Sequence, residues 1–228
     1  MSPIRKPATC IRKRSGFTLL ELSIVMVIIG LLVGGVFVGL DLYRSARNLG
    51  VIKESGQYQQ ALSTFYMKYG ALPGDMQDPA SYWEQETWQG GDDDGLILWS
   101  LEGPEAWRQM TLAGLVPGSV SDTGCTQDCQ AEPGSNIPRS NSISNAGWTI
   151  GVNNQTQRNI FMFGAKRPGT QIAVDPVLSG LETYRIDNKV DDGLPGSGSL
   201  RARSSCVSAG EYVLTEEIAC SFDILAGK

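Results

Sequence analysis

The sequence predicts an α+β protein, with one long N-terminal helix followed by a small antiparallel sheet domain. Three observations support this prediction. The segment from Phe17 to Leu40 is apolar except for one glutamate, two hydroxyl side chains and glycines. A helical period of apolar residues then continues through polar sequence to Tyr69. Short segments rich in β-forming residues follow, separated by Gly, Pro, Ser and Asn.

The charge of the chain is unevenly distributed. Residues 1–16 hold five basic side chains and no acidic one, whereas the whole chain has 19 basic and 24 acidic residues. The remainder therefore has 14 basic against 24 acidic side chains. Because binding to phosphate backbones needs clustered positive charge, this acidic balance argues against nucleic acid as a partner.

The apolar segment is long enough to cross a membrane. Leu22–Leu40 contains 19 residues without a charge, and at about 1.5 Å per residue this nearly spans a bilayer core. The preceding basic residues favour a cytoplasmic N-terminus, with the bulk of the chain across the membrane. Three interpretations are open: a signal peptide cleaved near the VGG at 33–35, an uncleaved signal anchor, or cleavage between Gly16 and Phe17.

The third interpretation accounts for the most residues. The order of a basic leader, Gly16, the sequence FTLLE at 17–21 and an apolar helix closely resembles the signature of type IV prepilins. That family includes type IV pilins and the pseudopilins of type II secretion. The resemblance implies that a prepilin peptidase cuts between Gly16 and Phe17 and methylates the new amine of Phe17. It also implies a pilin-like fold, in which the long helix packs on the sheet domain.

The resemblance gives Glu21 an expected role in assembly. A charged carboxylate in hydrocarbon costs about 2.5 kcal/mol or more unless it is paired. In a filament, Glu21 of one subunit could pair with the Phe17 amine of a neighbour and so fix the axial register, as buried polar groups do in coiled coils. The alternative is that Glu21 lies incidentally among the lipid headgroups.

The resemblance implies a structural subunit of a type IV pilus or type II secretion pseudopilus, and not an enzyme. Its expected partners are prepilin peptidase, other pilin or pseudopilin subunits, the inner-membrane assembly machinery and membrane lipid. The expected location is the bacterial inner membrane, in a single pass, and then a periplasmic or cell-surface filament. The alternative is a signal-anchored periplasmic binding or adhesion domain that does not polymerise.

These expectations divide the chain into four segments. They are a cytoplasmic leader over 1–16, a transmembrane and assembly helix over 17–40, an amphipathic helix over 41–70, and a periplasmic or extracellular globular domain over 71–228. Within the last segment we predict a helix opened by Pro104 and another capped by Asp175. Strands are predicted at 148–152, 159–163, 171–174, 211–214 and 220–224.

Four of the five cysteines lie in the C-terminal half of the chain. An even number of cysteines in an exported domain predicts two disulfides. We favour Cys125 with Cys129 and Cys206 with Cys220, because these pairings are local. A metal site is the alternative, but the chain has no histidine and the cysteine spacing fits no common zinc pattern.

Two acidic segments are candidates for structural calcium, and we expect no other cofactor. They are GGDDDG at 90–95 and DNKVDDG at 187–193, each predicted to be a loop. Neither fits the EF-hand pattern. Some major pseudopilins bind calcium in a C-terminal loop, and the resemblance extends this role loosely to Asp187, Asp191 and Asp192. The alternative is a solvated turn at a helix C-terminus.

No catalytic constellation is evident in the sequence. The absence of histidine removes the commonest general base and excludes Ser-His-Asp and Cys-His sites. No phosphate-binding glycine loop is present either. An anchored glycosidase that uses two carboxylates is the one enzymatic rival.

Overall fold

The structure is a computed structural model that describes residues 16–84, 91–118, 120, 130–203 and 205–227. It divides into two compact units, Met1–Tyr43 and Arg44–Lys228. The first helix, α1 (Leu19–Tyr69), contributes residues to both units. The fold is the predicted α+β, pilin-like arrangement of a long N-terminal helix followed by a small antiparallel sheet domain.

Helix α1 contains 51 residues and no proline, and its end is well defined. The amide of Gly70 donates to the carbonyl of Tyr66, and Gly70 adopts a positive φ of 75°. This left-handed conformation suits glycine and closes the helix. In the Arg44–Lys228 unit, α1 buries a stripe with helical spacing that includes Val51, Tyr58 and Phe65. The predicted helix from about Phe17 to Tyr69 is therefore present.

Helix α2 covers Glu102–Leu112, so it begins two residues before the predicted start at Pro104. Pro104 lies in the first turn, where its missing N–H is not needed for a helical hydrogen bond. The Glu102 carboxylate also accepts from the amide of Leu98, at 2.6 Å. This hydrogen bond tightens the entry into the helix. Gly114, with a φ of 73°, follows its end.

All strand pairings described in the sheets are antiparallel. The main sheet has the order β1 (Ala146–Asn153), β2 (Arg158–Lys166), β8 (Ile218–Leu225) and β4 (Leu178–Ser179). Two more strands extend it: β3 (Ala173–Asp175) pairs with β2, and β5 (Leu200–Arg203) pairs with β8. Separately, β6 (Val207–Ser208) pairs with β7 (Glu211–Tyr212). The five predicted strands are present with shifted ends, whereas β4, β5 and β6 were not predicted.

Helix α3 covers Gly180–Val190, and the predicted cap at Asp175 is wrong. Asp175 instead ends strand β3. The cap is Ser179, whose hydroxyl accepts from the amide of Glu182 while the Glu182 carboxylate accepts from the amide of Ser179. This reciprocal capping box satisfies two groups that would otherwise lack partners, and so it fixes the start of α3.

An aromatic core joins the second half of α1 to the sheet. Tyr58 of α1 lies edge-on to Trp107 and Trp148, with ring centroids 4.9 and 5.7 Å apart. Across the sheet Phe163 is opposite both Trp148 and Phe222 in the strand registers. Such pairs of rings add to the burial of their apolar surface, so they orient α1 on the sheet as well as holding it there.

One buried carboxylate in this core is fully hydrogen-bonded. Glu54 of α1 accepts from the indole N–H of Trp148 at 2.9 Å, from the amide of Asn141 at 2.9 Å, and from both the amide and the hydroxyl of Ser142. Because a buried charge is costly unless such donors surround it, Glu54 fixes the position of α1 against strand β1 and the segment before it.

Candidate functional site

The junction between Gly16 and Phe17 lies outside regular secondary structure, two residues before α1 begins. Phe17 is 91% exposed, and apart from the chain neighbours of Gly16 no described residue places an atom within 4 Å of the position that a Cβ on Gly16 would take. The junction is therefore an exposed, non-helical segment. A peptidase can bind such a segment without first unwinding a helix.

Glu21 takes part in a local capping arrangement that the sequence reasoning missed. The Glu21 carboxylate oxygen Oε2 accepts from the amide of Thr18 at 2.8 Å and from its hydroxyl at 2.9 Å. In return, the Thr18 hydroxyl accepts from the amide of Glu21 at 3.2 Å. This is the geometry of a capping box. Its signal, a threonine three residues before a glutamate, is present in the sequence.

The second carboxylate oxygen of Glu21 is available for another partner. Within the part of the chain that the structure describes, Oε1 accepts no hydrogen bond, while Oε2 receives two. The capping box therefore orients Glu21 without using all of its acceptors. Glu21 is also exposed in this single chain.

The apolar part of α1 has no packing partner among the described residues of its own unit, 16–43. All residues from Gly16 to Tyr43 are exposed, although most of them are large and hydrophobic. By length and composition, α1 is the one helix among the described residues able to cross a membrane, with a mean hydropathy of 2.7 in its most apolar window. Outside the helix's own backbone, no described residue places an atom within 4 Å of the Cβ position of Gly30, Gly34, Gly35 or Gly39, so the helix surface at each of these two i, i+4 pairs can accept a close neighbour.

The structure brings the three predicted calcium ligands together. Each of Asp187, Asp191 and Asp192 offers a carboxylate oxygen within 4.8 Å of the others. The prediction that all three lie in a loop is wrong, because Asp187 belongs to the last turns of α3 and is fully buried. Burial raises the pKa of the Asp187 carboxyl, and the charges of Asp192 and Asp191 raise it further.

The other acidic segment is organised around Asp75, which the sequence reasoning did not select. Asp75 is 1% exposed and accepts from the amides of Asp93 at 2.8 Å and Gly95 at 2.9 Å. Oxygens of Asp75, Asp92 and Asp94 lie within 4.8 Å of one another. An open groove of about 710 Å³ lies beside this loop and is lined partly by Tyr66 and Met67 of α1.

Glu102, at the start of α2, lies in the electrostatic field of this second cluster. Burial raises the pKa of its carboxyl to about 7, and the nearby charges of Asp75, Asp92 and Asp94 contribute to the rise. The amide of Leu98 opposes the shift by donating to the Glu102 carboxylate. Neutral pH therefore lies close to the titration of this buried group.

The cysteine predictions have different outcomes. Cys206 and Cys220 form a disulfide with their Cα atoms 5.3 Å apart. It connects the residue before β6 to strand β8. Cys125 and Cys129 lie outside the described residues, so their pairing stays a prediction.

Comparison with known proteins identifies the N-terminal segment. A family model described as the prokaryotic N-terminal methylation motif matches residues 11–37. The match covers the junction at Gly16, the capping pair Thr18 and Glu21, and most of the exposed apolar part of α1. It supports the interpretation of the chain as a type IV prepilin-like protein. No curated protein and no solved structure matches the chain.

Proposed function

We propose that this protein is a structural subunit of a type IV pilus or a type II secretion pseudopilus. The observation that carries the proposal is the methylation motif at 11–37, placed on an exposed junction and on the start of a long apolar helix. The motif implies processing by a prepilin peptidase and assembly with other subunits, and the apolar helix is consistent with membrane anchoring.

Processing at the exposed junction would change the charge at the start of α1. Cleavage between Gly16 and Phe17 removes residues 1–16, with their five basic side chains, and leaves a methylated amine on Phe17. This amine is a cation only four residues from Glu21. Placed in hydrocarbon, each charge would be costly alone, and pairing between subunits offsets both costs.

The geometry at Glu21 supports pairing between subunits. Thr18 holds Oε2 by two hydrogen bonds, which leaves Oε1 for the amine of a neighbouring subunit. A carboxylate that is already oriented loses less side-chain entropy on pairing than a freely rotating one. Thr18 is thus a positioning residue for Glu21, and the exposed glycine pairs further along α1 would allow close packing of neighbouring helices.

We further propose the location and the segment boundaries that follow from this role. The subunit enters the inner membrane in a single pass with its N-terminus in the cytoplasm, and after cleavage it moves into a periplasmic or cell-surface filament. Residues 17–40 form the assembly helix, and 41–70 continue into the globular domain at 71–228. The assembly machinery acts on this helix, because it is exposed and apolar along its length.

The first test is the mass of the mature N-terminus, measured on protein purified from cells with an active prepilin peptidase. The proposal predicts a chain that begins with methylated Phe17. Gly16→Val should retain the leader and should not be incorporated into filaments. A wild-type chain that keeps residues 1–16 would contradict the proposal and would favour a signal-anchored binding or adhesion domain.

The second test separates the charge of Glu21 from its hydrogen bonding. Glu21→Gln keeps an acceptor for Thr18 but removes the charge, whereas Thr18→Ala keeps the charge and removes the positioning hydroxyl. We expect Glu21→Gln to insert into the membrane normally and to lose most filament incorporation, measured as the sheared or crosslinked fraction. Thr18→Ala should show a smaller loss, and Thr18→Ser should restore incorporation. Wild-type incorporation of Glu21→Gln would refute the pairing role.

A further inference from the structure

Three arginine side chains lie on the face of the main sheet that points away from α1. Side chains alternate between the two faces of a strand, and Phe222 of β8 packs in the aromatic core. Its neighbour Asp223 therefore points outward, and Arg201 is opposite Asp223 in the pairing of β5 with β8. Arg203 lies two residues further along β5, and Arg158 begins β2. Because acidic residues outnumber basic ones in the chain, this concentration of positive charge is a local feature.

Arg158 and Arg201 both line one small cleft in this outer face. The cleft has a volume of about 40 Å³, and Asn153, Thr156 and Ser199 also line it. A water molecule needs about 10 to 15 Å³ of such space, so the cleft holds about three groups of that size, which is enough for one oxyanion. All five of these side chains contain hydrogen-bond donors. We refer to this site as the outer-face cleft.

The two guanidinium groups of the cleft lack a counter-charge of their own. Counting only the residues that the structure describes, neither Arg158 nor Arg201 forms an ion pair. Asp223 also lines the cleft, but its Oδ1 is bonded to Nε of Arg203 at 2.5 Å. Burial raises the pKa of the Asp223 carboxyl, and the charges of Arg203 and Arg201 lower it. One carboxylate therefore faces three guanidinium groups, which leaves two positive charges uncompensated.

The turn before β2 fixes the backbone from which Arg158 projects. Oδ1 of Asn153 accepts from the amides of Gln155 at 2.9 Å and Thr156 at 3.2 Å. The amide of Gln157 donates to the carbonyl of Asn153 at 2.8 Å. Gln157 has a φ of 51°, a left-handed conformation that is costly for a residue other than glycine. These hydrogen bonds hold the strained turn, and they leave the Nδ2 group of Asn153 as a donor for the cleft.

We propose that the outer-face cleft binds one phosphate group between Arg158 and Arg201. A guanidinium group presents its donors in a planar fork that matches the oxygens of a phosphate. A phosphate monoester carries about 1.5 to 2 negative charges at pH 7, which matches the two uncompensated charges better than a carboxylate does. The hydroxyls of Thr156 and Ser199 supply neutral donors for the remaining oxygens. The bound phosphate also screens the repulsion between the two guanidinium groups.

Two sources carry this chemistry: a free phosphate ion or monoester, and the phosphodiester headgroup of an envelope lipid. A diester lacks the second ionisable oxygen, so it has a single negative charge. The two uncompensated positive charges favour the doubly charged source. The cleft lies in the globular domain, and its binding of phosphate does not depend on the filament function proposed above.

The experiment uses the mature full-length chain in detergent and isothermal titration calorimetry with inorganic phosphate. Sodium chloride keeps the ionic strength constant, because exposed charges also attract anions diffusely. We expect one phosphate per chain, with a dissociation constant on the order of 10⁻³ M, because both guanidinium groups are exposed to water. Absence of saturable heat up to about 20 mM, well above that constant, would overturn the proposal.

A second titration identifies the source of the phosphate. It uses glycerophosphoglycerol, the water-soluble headgroup of phosphatidylglycerol, which is a diester. Tighter binding of inorganic phosphate would support the site and identify the free ion or monoester. Tighter binding of the diester would support the site and identify the lipid headgroup.

Substitutions of single arginines locate the bound phosphate. Arg158→Gln and Arg201→Gln change exposed side chains, so their Tm without phosphate should stay within about 2 °C of the wild type. Each should weaken phosphate binding by about tenfold or more, because a charge-assisted hydrogen bond is lost. Arg201→Lys keeps the charge without the fork and should restore part of the affinity.

Arg139→Gln is the matched control, since Arg139 is exposed and does not line the cleft. It should retain the phosphate affinity of the wild type. Equal losses in Arg139→Gln and Arg201→Gln would show diffuse attraction to positive charge and would overturn the site. Unchanged phosphate binding in both Arg158→Gln and Arg201→Gln would also refute it.

Discussion

The two halves of α1 have similar apolar side chains and opposite burial. Phe65 is fully buried in the aromatic core, whereas Phe37 is 69% exposed. In the Arg44–Lys228 unit the apolar stripe of α1 has the sheet as its partner, whereas every residue of Gly16–Tyr43 is exposed. The comparison shows that the first half of the helix is built for an environment that a single chain does not provide. Lipid and neighbouring subunits are the environments that the methylation motif implies.

The sharpest way to break this comparison is to truncate the same residue type in each half. Phe65→Ala should lower the free energy of unfolding of the globular domain by about 3 to 5 kcal/mol, because it leaves a cavity in the core. Phe37→Ala should change that free energy by less than about 0.5 kcal/mol, since an exposed site loses no packing. The measurement is urea unfolding of the detergent-solubilised chain, followed by tryptophan fluorescence.

In an assembly assay we expect the opposite order, with filament incorporation reduced more by Phe37→Ala than by Phe65→Ala. Phe37→Ala removes contact area that neighbouring subunits would bury in the proposed filament, so its filament incorporation should fall even though its domain remains stable. A Phe37→Ala chain that unfolds as easily as Phe65→Ala would contradict the division of roles between the two halves. Leu31→Ala, another exposed position on the apolar segment, is a suitable second variant.

A second difference, between the apolar segment and the globular domain, is covalent. The apolar segment contains no cysteine, whereas Cys206 and Cys220 of the globular domain form a disulfide with a sequence separation of 14. Replacing both with serine should lower the stability by about 2 to 4 kcal/mol, because the unfolded chain regains the entropy of a closed loop. Urea midpoints with and without reductant provide the measurement.

The double variant also contains its own control. In a chain cleaved after Gly16, which lacks Cys10, any response to reductant that remains after Cys206 and Cys220 are replaced belongs to Cys125 and Cys129, so the two predicted pairs can be separated. If the double variant and the oxidised wild type unfolded at the same urea concentration, the bridge would have no structural role. Free thiols at both Cys206 and Cys220 under non-reducing conditions would contradict the pairing itself.

The sequence predicts the first half of α1 better than the domain, for a physical reason. The signal at 16–21 is local: a glycine, an N-terminal cap and a carboxylate within one turn, followed by a charge-free run. Helix α2 and most strands also follow from local patterns. The start of α3 was predicted wrongly because the sequence contains two acceptable N-caps: Asp175 followed by Pro176, and Ser179 with Glu182. Only the pairing of β3 with β2, which places Asp175 in a strand, excludes the first of them.

The acidic sites illustrate the limit of sequence reasoning more clearly. The cluster at Asp187, Asp191 and Asp192 lies within six residues, so the sequence could indicate it, although the hydroxyl that donates to Asp187 comes from Tyr212 of another element. Asp75 was missed because its partners Asp93 and Gly95 are 18 and 20 positions away. Contacts over such separations are set by tertiary packing and leave no periodic signal in the sequence.

The smallest expected effect comes from the buried acid at the start of α2. Glu102 has a pKa raised from 4.5 to about 7 in the folded chain, so between these values the folded state binds more protons than the unfolded state. Stability from this group is therefore complete below about pH 4.5 and is lost as the pH rises through 7.

Glu102→Gln keeps an acceptor for the Leu98 amide and removes this titration. Between pH 5 and 8 the wild type should lose about 1 to 2 kcal/mol more than the variant, a value reduced from the full shift for solvent screening. Glu217→Gln, the same change at an exposed position, should retain the wild-type slope. Parallel pH profiles for the wild type and Glu102→Gln, measured by urea unfolding, would show that burial and the charges of Asp75 and its neighbours do not hold Glu102 protonated.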